Sequence, residues 1–269
     1  MEYRSLGPTG MQVSPLCLGA MMFGAWGEPD HDVSIGIIHR ALDAGINFID
    51  TADVYSQGES ETIVGKALAG GRRDDVVLAT KFHFPMGDDP NSGGNSRRWI
   101  LRAVDDSLRR LRTDWIDLYQ VHRPDESADI EETLSALTDL QRAGKIRAFG
   151  SSTFPAHQVV EAQWTSERRG LGRFVTEQPP YSILVRGIEA DLLPVTEKYG
   201  MGVLPWSPLA GGWLSGRYRK GQDAPESHRA GRMPARYDLD DPANQAKLDA
   251  AEALAQLAEK SGLTLVHLA

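Results

Sequence analysis

Short β-branched runs begin near positions 16, 46, 76, 115, 146, 174 and 202, and amphipathic segments fill the intervals between them. One strand recurs about every 30 residues, the length of a βα unit. Strict alternation of this kind demands a parallel sheet covered by helices, because parallel neighbours need a crossover between them. The spacing predicts helices over Val33–Ala44, stopped by Gly45; over Ser96–Leu111, capped by Ser96 or Asn95; and over Ile130–Ala143, stopped by Gly144. A further helix is expected to begin at Phe154-Pro155, with proline in its first turn.

A closed barrel and an open doubly wound sheet both satisfy this alternation. Two observations favour the barrel. Leu18 to Gly24 lacks the G-x-G-x-x-G spacing that an open dinucleotide fold carries at its first βα turn. Polar residues also follow nearly every strand: Asp50 and Tyr55, Lys81, His122, and Gln178 after Glu177. A barrel collects its chemistry in that way, at the carboxyl ends of all its strands. Tyr3 to Leu6 and Met11 to Val13 flank a Gly-Pro-Thr-Gly turn and read as a hairpin that closes the barrel floor. Toward the end, a long loop from Pro208 to about Pro242 precedes a helix with Ala251, Leu254, Leu257 and Ala258 on one face. Seven strands are counted. The fold expected is α/β, a (β/α)8 TIM barrel with an N-terminal β-hairpin, its last βα unit absent from this chain, residues 1–269 forming one barrel domain.

At 269 residues the chain has the length of one such barrel, about 250 residues. A net charge of -8 opposes a general affinity for nucleic acid or anionic membrane surfaces but leaves room for one local phosphate pocket. No apolar run approaches the roughly 20 residues of a membrane span, and the first residues lack the apolar core of a signal peptide. The single Cys17 lies between Leu16 and Leu18 and is expected to be a buried, inert thiol in a reducing, cytoplasmic setting.

Asp50, Tyr55, Lys81 and His122 form one cluster of candidates. A phenol with a pKa near 10 is a poor proton donor at neutral pH, and an ammonium beside it lowers that value. Lys81 would supply the field, Asp50 would hold Lys81 charged, and His122 would donate a hydrogen bond to a carbonyl oxygen as charge builds there. Such a set suits proton delivery coupled to hydride arrival. Taken singly, each has an ordinary structural role: a packed loop tyrosine, an ion pair, a strand-end histidine. Convergence alone distinguishes the two readings. His83 is a further candidate for lining the pocket, whereas His31 and His39 read as surface residues. A metal-dependent hydrolase has little support, since no H-x-H, H-E-x-x-H or cysteine pair is present.

A second cluster follows the seventh strand. Trp206, Ser207, Gly211 and Gly212 place an aromatic, a hydroxyl and two glycines where barrels commonly bind phosphate. Trp206 would stack on a flat heterocycle, Ser152 and Gln178 would hold its amide, and Arg217 would face phosphates. Arg219, Lys220, Arg229 and Arg232 read as solvated charges.

These residues resemble the aldo-keto reductase family. The similarity runs through Asp43 to Ala52, Tyr55, Gly58-Glu59-Ser60-Glu61, Ala79-Thr80-Lys81, Leu108 to Leu111, Ile116 to His122, Gly144 to Arg147 and Trp206-Ser207-Pro208-Leu209, so it spans essentially the whole chain. The resemblance implies an eight-stranded α/β barrel that binds NADP(H) without a Rossmann domain and reduces aldehydes or ketones to alcohols. It implies Asp50, Tyr55, Lys81 and His122 as the catalytic tetrad. It assigns Gly19, Met21, Asp50, Ser152, Gln178, Trp206, Ser207, Leu209, Gly211 and Arg217 to the cofactor, and a small carbonyl compound as substrate. One departure is Ser152-Thr153, where many members have Ser-Asn. The segment that would recognise the adenosine 2′-phosphate is also absent from this chain, so the preference for NADPH over NADH rests on the resemblance. Potassium-channel β-subunits share the Trp-Ser-Pro-Leu segment, and a regulatory cofactor-binding barrel is the alternative reading.

Overall fold

Burial decides which residues of each repeat form strands: the apolar runs that are β-branched and flanked by glycine or charge become the sheet, and the amphipathic stretches between them cover it. The computed structural model describes residues 1–223, 225 and 227–269, with His228 as backbone only. The described chain divides into two compact units, Met1–Gln178 with Asp191–Leu204, and Pro179–Ala190 with Pro205–Ala269.

The first unit opens with an antiparallel hairpin of β1 (Arg4–Ser5) and β2 (Gln12–Val13). Seven strands then follow: β3 (Leu18–Gly19), β4 (Phe48–Asp50), β5 (Val77–Phe82), β6 (Ile116–Val121), β7 (Ile146–Ser152), β8 (Thr176–Gln178) and β9 (Gly202–Val203). They pair in chain order, and every pairing is parallel. The crossovers carry α1 (His31–Asp43), α2 (Glu59–Ala67), α3 (Arg97–Leu111), α4 (Ile130–Arg142), α5 (Ala156–Arg169) and α6 (Leu192–Lys198). This is the wall of the α/β barrel that the spacing predicts, with its seven strands at the expected places.

Caps explain the small shifts at helix ends. Helix α1 starts at His31, two residues ahead of the expected Val33, because the Asp30 carboxylate accepts from the amides of Asp32 and Val33. Ser96 caps α3, Asp129 caps α4, and Pro155 stands just before the first turn of α5. His31 and His39 depart from expectation: they bridge α1 to α2, His31 Nε2 meeting Glu59 at 2.9 Å and His39 Nε2 meeting the Ala67 carbonyl at 2.8 Å. Cys17 departs in part: the residue as a whole is exposed beside β3, yet burial of the thiol, and then the Asp50 charge, hold its pKa well above the usual range, as an inert thiol requires.

The hairpin closes the floor as its turn implies. Leu6 and Val13 pack with Phe48, Ala79, Leu118 and Ala148, the inward residues at the amino ends of the strands. Burying each of Leu6, Val13, Phe48 and Leu118 contributes about 1.5–3 kcal/mol, and the two alanines less. Gly7 fits against the sheet because it has no side chain: a Cβ there would lie 2.4 Å from the Val175 carbonyl oxygen and 2.8 Å from the Gly202 nitrogen.

The second unit contains α7 (His228–Arg232), α8 (Pro242–Lys260) and α9 (Leu265–Leu268). The segment expected to be one long loop holds α7 and short 3-10 turns at Ala210–Gly212 and Pro234–Arg236. Helix α8, capped by Asp241, buries Asn244, Leu248, Ala251, Ala255 and Ala258. Leu257, expected on that face, is 51% exposed, because it lies about 100° around the helix from Ala258. Leu214, Ala251, Ala255 and Leu265 form one core cluster of this unit; Trp213, Tyr218 and Leu248 form another. Arg219 and Lys220 are not simply solvated: Arg219 pairs with Glu252 and Glu259 at 2.9 and 2.8 Å, and Lys220 with Asp249 at 2.8 Å. No described helix is long and apolar enough to cross a membrane.

Candidate active site

In parallel strands the register sets which side chains share a layer. Asp50 pairs with Gly19 and Ala79, and Lys81 pairs with Gln120, so polar residues at the carboxyl ends of β4, β5 and β6 are brought together. The Lys81 ammonium is fully buried and its three donors are all used. It meets Asp50 Oδ1 at 2.5 Å, the Thr51 carbonyl at 2.8 Å and the Tyr55 hydroxyl at 3.3 Å. Asp50 Oδ2 accepts from Gln120 Nε2 at 2.9 Å and from Gln178 Nε2 at 3.0 Å.

Tyr55 stands in the turn after β4, where Ser56 and Gln57 adopt left-handed φ of 49° and 55°. The Ser56 hydroxyl offsets that strain by accepting from the Trp26 amide at 3.0 Å. The Tyr55 ring lies 6.0 Å from Trp26 and 5.7 Å, edge-on, from the ring of His122, which in turn packs 4.9 Å from Phe84. Asp50, Tyr55, Lys81 and His122 therefore do converge. His83 adjoins them through Phe84, at 5.2 Å, while its Nδ1 meets Asn95 at 2.9 Å.

Burial and charge set the protonation states. Burial opposes the charge on Lys81, but Asp50 and Tyr55 outweigh it and its pKa is raised, so it is an ammonium. Burial likewise pushes the Tyr55 phenol upward; Lys81 pulls down as expected but does not overcome it, so Tyr55 is a neutral phenol at ordinary pH. His122 is driven far down, first by burial and then by Lys81, Arg123 and His83, and is a neutral imidazole.

Ser152 is buried, and its hydroxyl donates to the Gln178 carbonyl at 2.9 Å. Thr153, in place of the asparagine of the resemblance, sits at φ 61°, a region β-branched residues rarely enter. Gly19 is exposed on β3, and Met21 is half-buried just beyond it. In the second unit, the Trp206 amide donates to the Pro179 carbonyl at 3.0 Å. Ser207 and Gly211 have left-handed φ of 56° and 72°, and Leu209 packs against the Leu214 cluster. The amides of Ala210 and Gly212 donate to the carbonyls of Ser207 and Leu209, so these two do not point outward as an anion cradle would require. Arg217 is exposed.

The chain matches the aldo/keto reductase family over residues 15–269. It belongs to that family. Among its relatives, an uncharacterized oxidoreductase of Bacillus subtilis (strain 168) is 44% identical over 231 residues, 82% of this chain and 70% of the relative. A probable voltage-gated potassium channel subunit beta of Arabidopsis thaliana is 36% identical over all of this chain and 82% of its own. An aldo-keto reductase of Bacillus subtilis (strain 168) is 41% identical over 81% of this chain and 65% of its own. The family is one of oxidoreductases built on a (β/α)8 barrel, generally using NAD(P)H on small carbonyl compounds.

Four residues beside this aldo-keto reductase cluster escaped the sequence reading: Trp26, Phe84, Gln120 and Arg123. A polar Gln120 two positions before His122 inside an apolar strand was a visible signal, since alternation points both to the same side. Trp26 and Phe84 carried none, because nothing local marks an aromatic residue for one loop contact over another.

Proposed function

We propose that the chain reduces aldehydes or ketones to alcohols with NADP(H), as a single cytoplasmic catalytic domain acting on small molecules and not on nucleic acid. The observation that carries this reading is the Lys81 ammonium, which joins Asp50 to the Tyr55 hydroxyl beside a neutral His122.

The residues fit a nicotinamide. Gln178 donates its amide N–H to Asp50 and keeps Oε1 without a hydrogen bond among the described residues, so that oxygen is placed to accept from a carboxamide. Ser152 and Gln178 would hold that ring, and Gly19 and Met21 are the other cofactor contacts proposed within the first unit. When bound, the cofactor would supply a hydride to the carbonyl carbon. Neutral His122 has an N–H to donate to the carbonyl oxygen, and it orients the substrate without delivering a proton early. Tyr55 gives its proton to the oxygen as negative charge develops there. Lys81 stabilises the phenolate that results, and Asp50, held by two amides, keeps Lys81 in place.

Measuring NADPH oxidation against a panel of aldehydes for the protein and its Tyr55→Phe variant tests the proposal. The expected loss is about 10²–10⁴-fold, that of removing a general acid; equal rates would overturn it. A titration with NADPH and NADH reads the cofactor preference. The regulatory reading draws on the whole-chain similarity to the Arabidopsis channel subunit. It would gain from tight cofactor binding without turnover of any aldehyde.

A further inference from the structure

Arg123 follows His122 directly at the end of β6, where the chain leaves the sheet. Its side chain is half-buried, with Nη1 donating to the His122 carbonyl at 2.5 Å and the guanidinium 5.7 Å from the centre of the Phe84 ring. Phe84 packs edge-on against His122, so the guanidinium, the Phe84 face and the His122 ring form one continuous wall. The charge is felt inside the cluster, since Arg123 is among the groups acting on both His122 and Tyr55.

No carboxylate lies within 4.0 Å of this guanidinium among the described residues. The nearby acids are engaged elsewhere. Asp125 accepts from the Asn95 amide and from Ser127, and Glu177 accepts from Ser151 and the Phe154 amide. Glu177 is also pushed up to about 7 by burial, so it is a weak counter-ion near neutral pH. A partly desolvated guanidinium with one carbonyl partner and no counter-ion is costly to hold, and an arriving anion would offset that cost with paired, charge-assisted hydrogen bonds.

We infer that Arg123 is an anion anchor at the active site, and that the preferred substrates carry a carboxylate a few bonds from the carbonyl that is reduced. The inference rests on the reductase reading. It adds the substrate class: oxo acids with an aldehyde or ketone at one end and a carboxylate at the other. With the carbonyl oxygen at Tyr55 and His122, the carboxylate takes the remaining guanidinium N–H groups, and the chain between them lies along Phe84.

The test compares kcat/KM for 4-oxobutanoate and for pentanal, with NADPH and NADH each tried as reductant. The expected result is a preference for 4-oxobutanoate of about tenfold or more, the scale of one hydrogen bond to a charged group. Arg123→Met is expected to bring that ratio toward one, mainly through the KM of the oxo acid, and Arg123→Lys to restore part of it. Butanoate is expected to inhibit pentanal reduction competitively and butanamide to do so far less. A wild-type ratio near one, equal inhibition by butanoate and butanamide, or an Arg123→Met effect confined to the cofactor KM would overturn the anchor. Should Arg123→Met be inactive with both aldehydes, the wild-type ratio and the butanoate inhibition decide alone. Wild-type turnover of pentanal without preference sinks only the anchor, whereas turnover of neither aldehyde sinks the reductase reading itself.

Discussion

Asp50 and Asp53 stand three positions apart on one stretch of chain, both buried, and the protein treats them in opposite ways. Asp50 has a cation on one oxygen and two amides on the other. Among the described residues Asp53 has no side-chain partner, and the Val54 amide close by is not placed for a hydrogen bond of ordinary geometry. Burial and the nearby Glu61 hold the Asp53 carboxyl well above its usual range. Glu61 itself is tied to Arg110 and Thr80, and the Tyr119 hydroxyl is also without a hydrogen-bond partner among the described residues. Burial alone therefore does not mark a working carboxylate. What separates the two is whether neighbouring strands send donors to meet it.

The largest effect that would test this contrast comes from Lys81→Met. Removing the cation leaves Asp50 buried as an uncompensated charge, which costs about 3–5 kcal/mol. Urea unfolding should show that loss alongside loss of carbonyl reduction, and a change in stability under about 1 kcal/mol would break the comparison. Gln120→Leu is the next step down, since Gln178 still donates to Asp50 Oδ2. The expected loss is about 1–3 kcal/mol, with a fall in kcat and a pH–rate profile displaced from that of the parent. An unmoved profile would show that Gln120 merely fills space.

Asp53→Asn should have the smallest effect, and its sign depends on pH. A raised folded pKa means that the folded chain holds the Asp53 proton more tightly. The stability it contributes is therefore complete below the ordinary carboxyl value of about 3.9, and is lost as pH rises through the raised value. Asparagine removes that dependence. Thermal unfolding of the variant should gain on the parent as pH increases, and a variant that falls further behind at high pH would mean that Asp53 is ionised and paired after all.

Much of this was legible in the chain. The seven strands stand where the β-branched runs do, because the period of a βα unit is local information. Asp50, Lys81 and His122 could be found because each ends a strand, and a barrel sends all strand ends to one face. Gln120 and Asp53 were harder to read, since their difference lies in partners 70 residues away or absent. The misjudged Leu257 has a simple cause: an apolar residue suggested burial, but a helix rotated by one residue put it in water. His31 looked solvated only because Glu59 and Lys66 belong to the next helix.

The hairpin at the amino end gives the molecule a direction in time. Leu6, Gly7 and Val13 are made well before Val175 and Gly202, yet Gly7 is seated against both, beside the last two strands of the sheet. Leu6 and Val13 have their partners on β4 to β7 as those strands are made, but the Gly7 turn lacks its seat until β8 and β9 arrive. At this one place assembly waits on synthesis: an early turn is seated only by late strands, and a nascent chain held short of β9 leaves that part of the floor open.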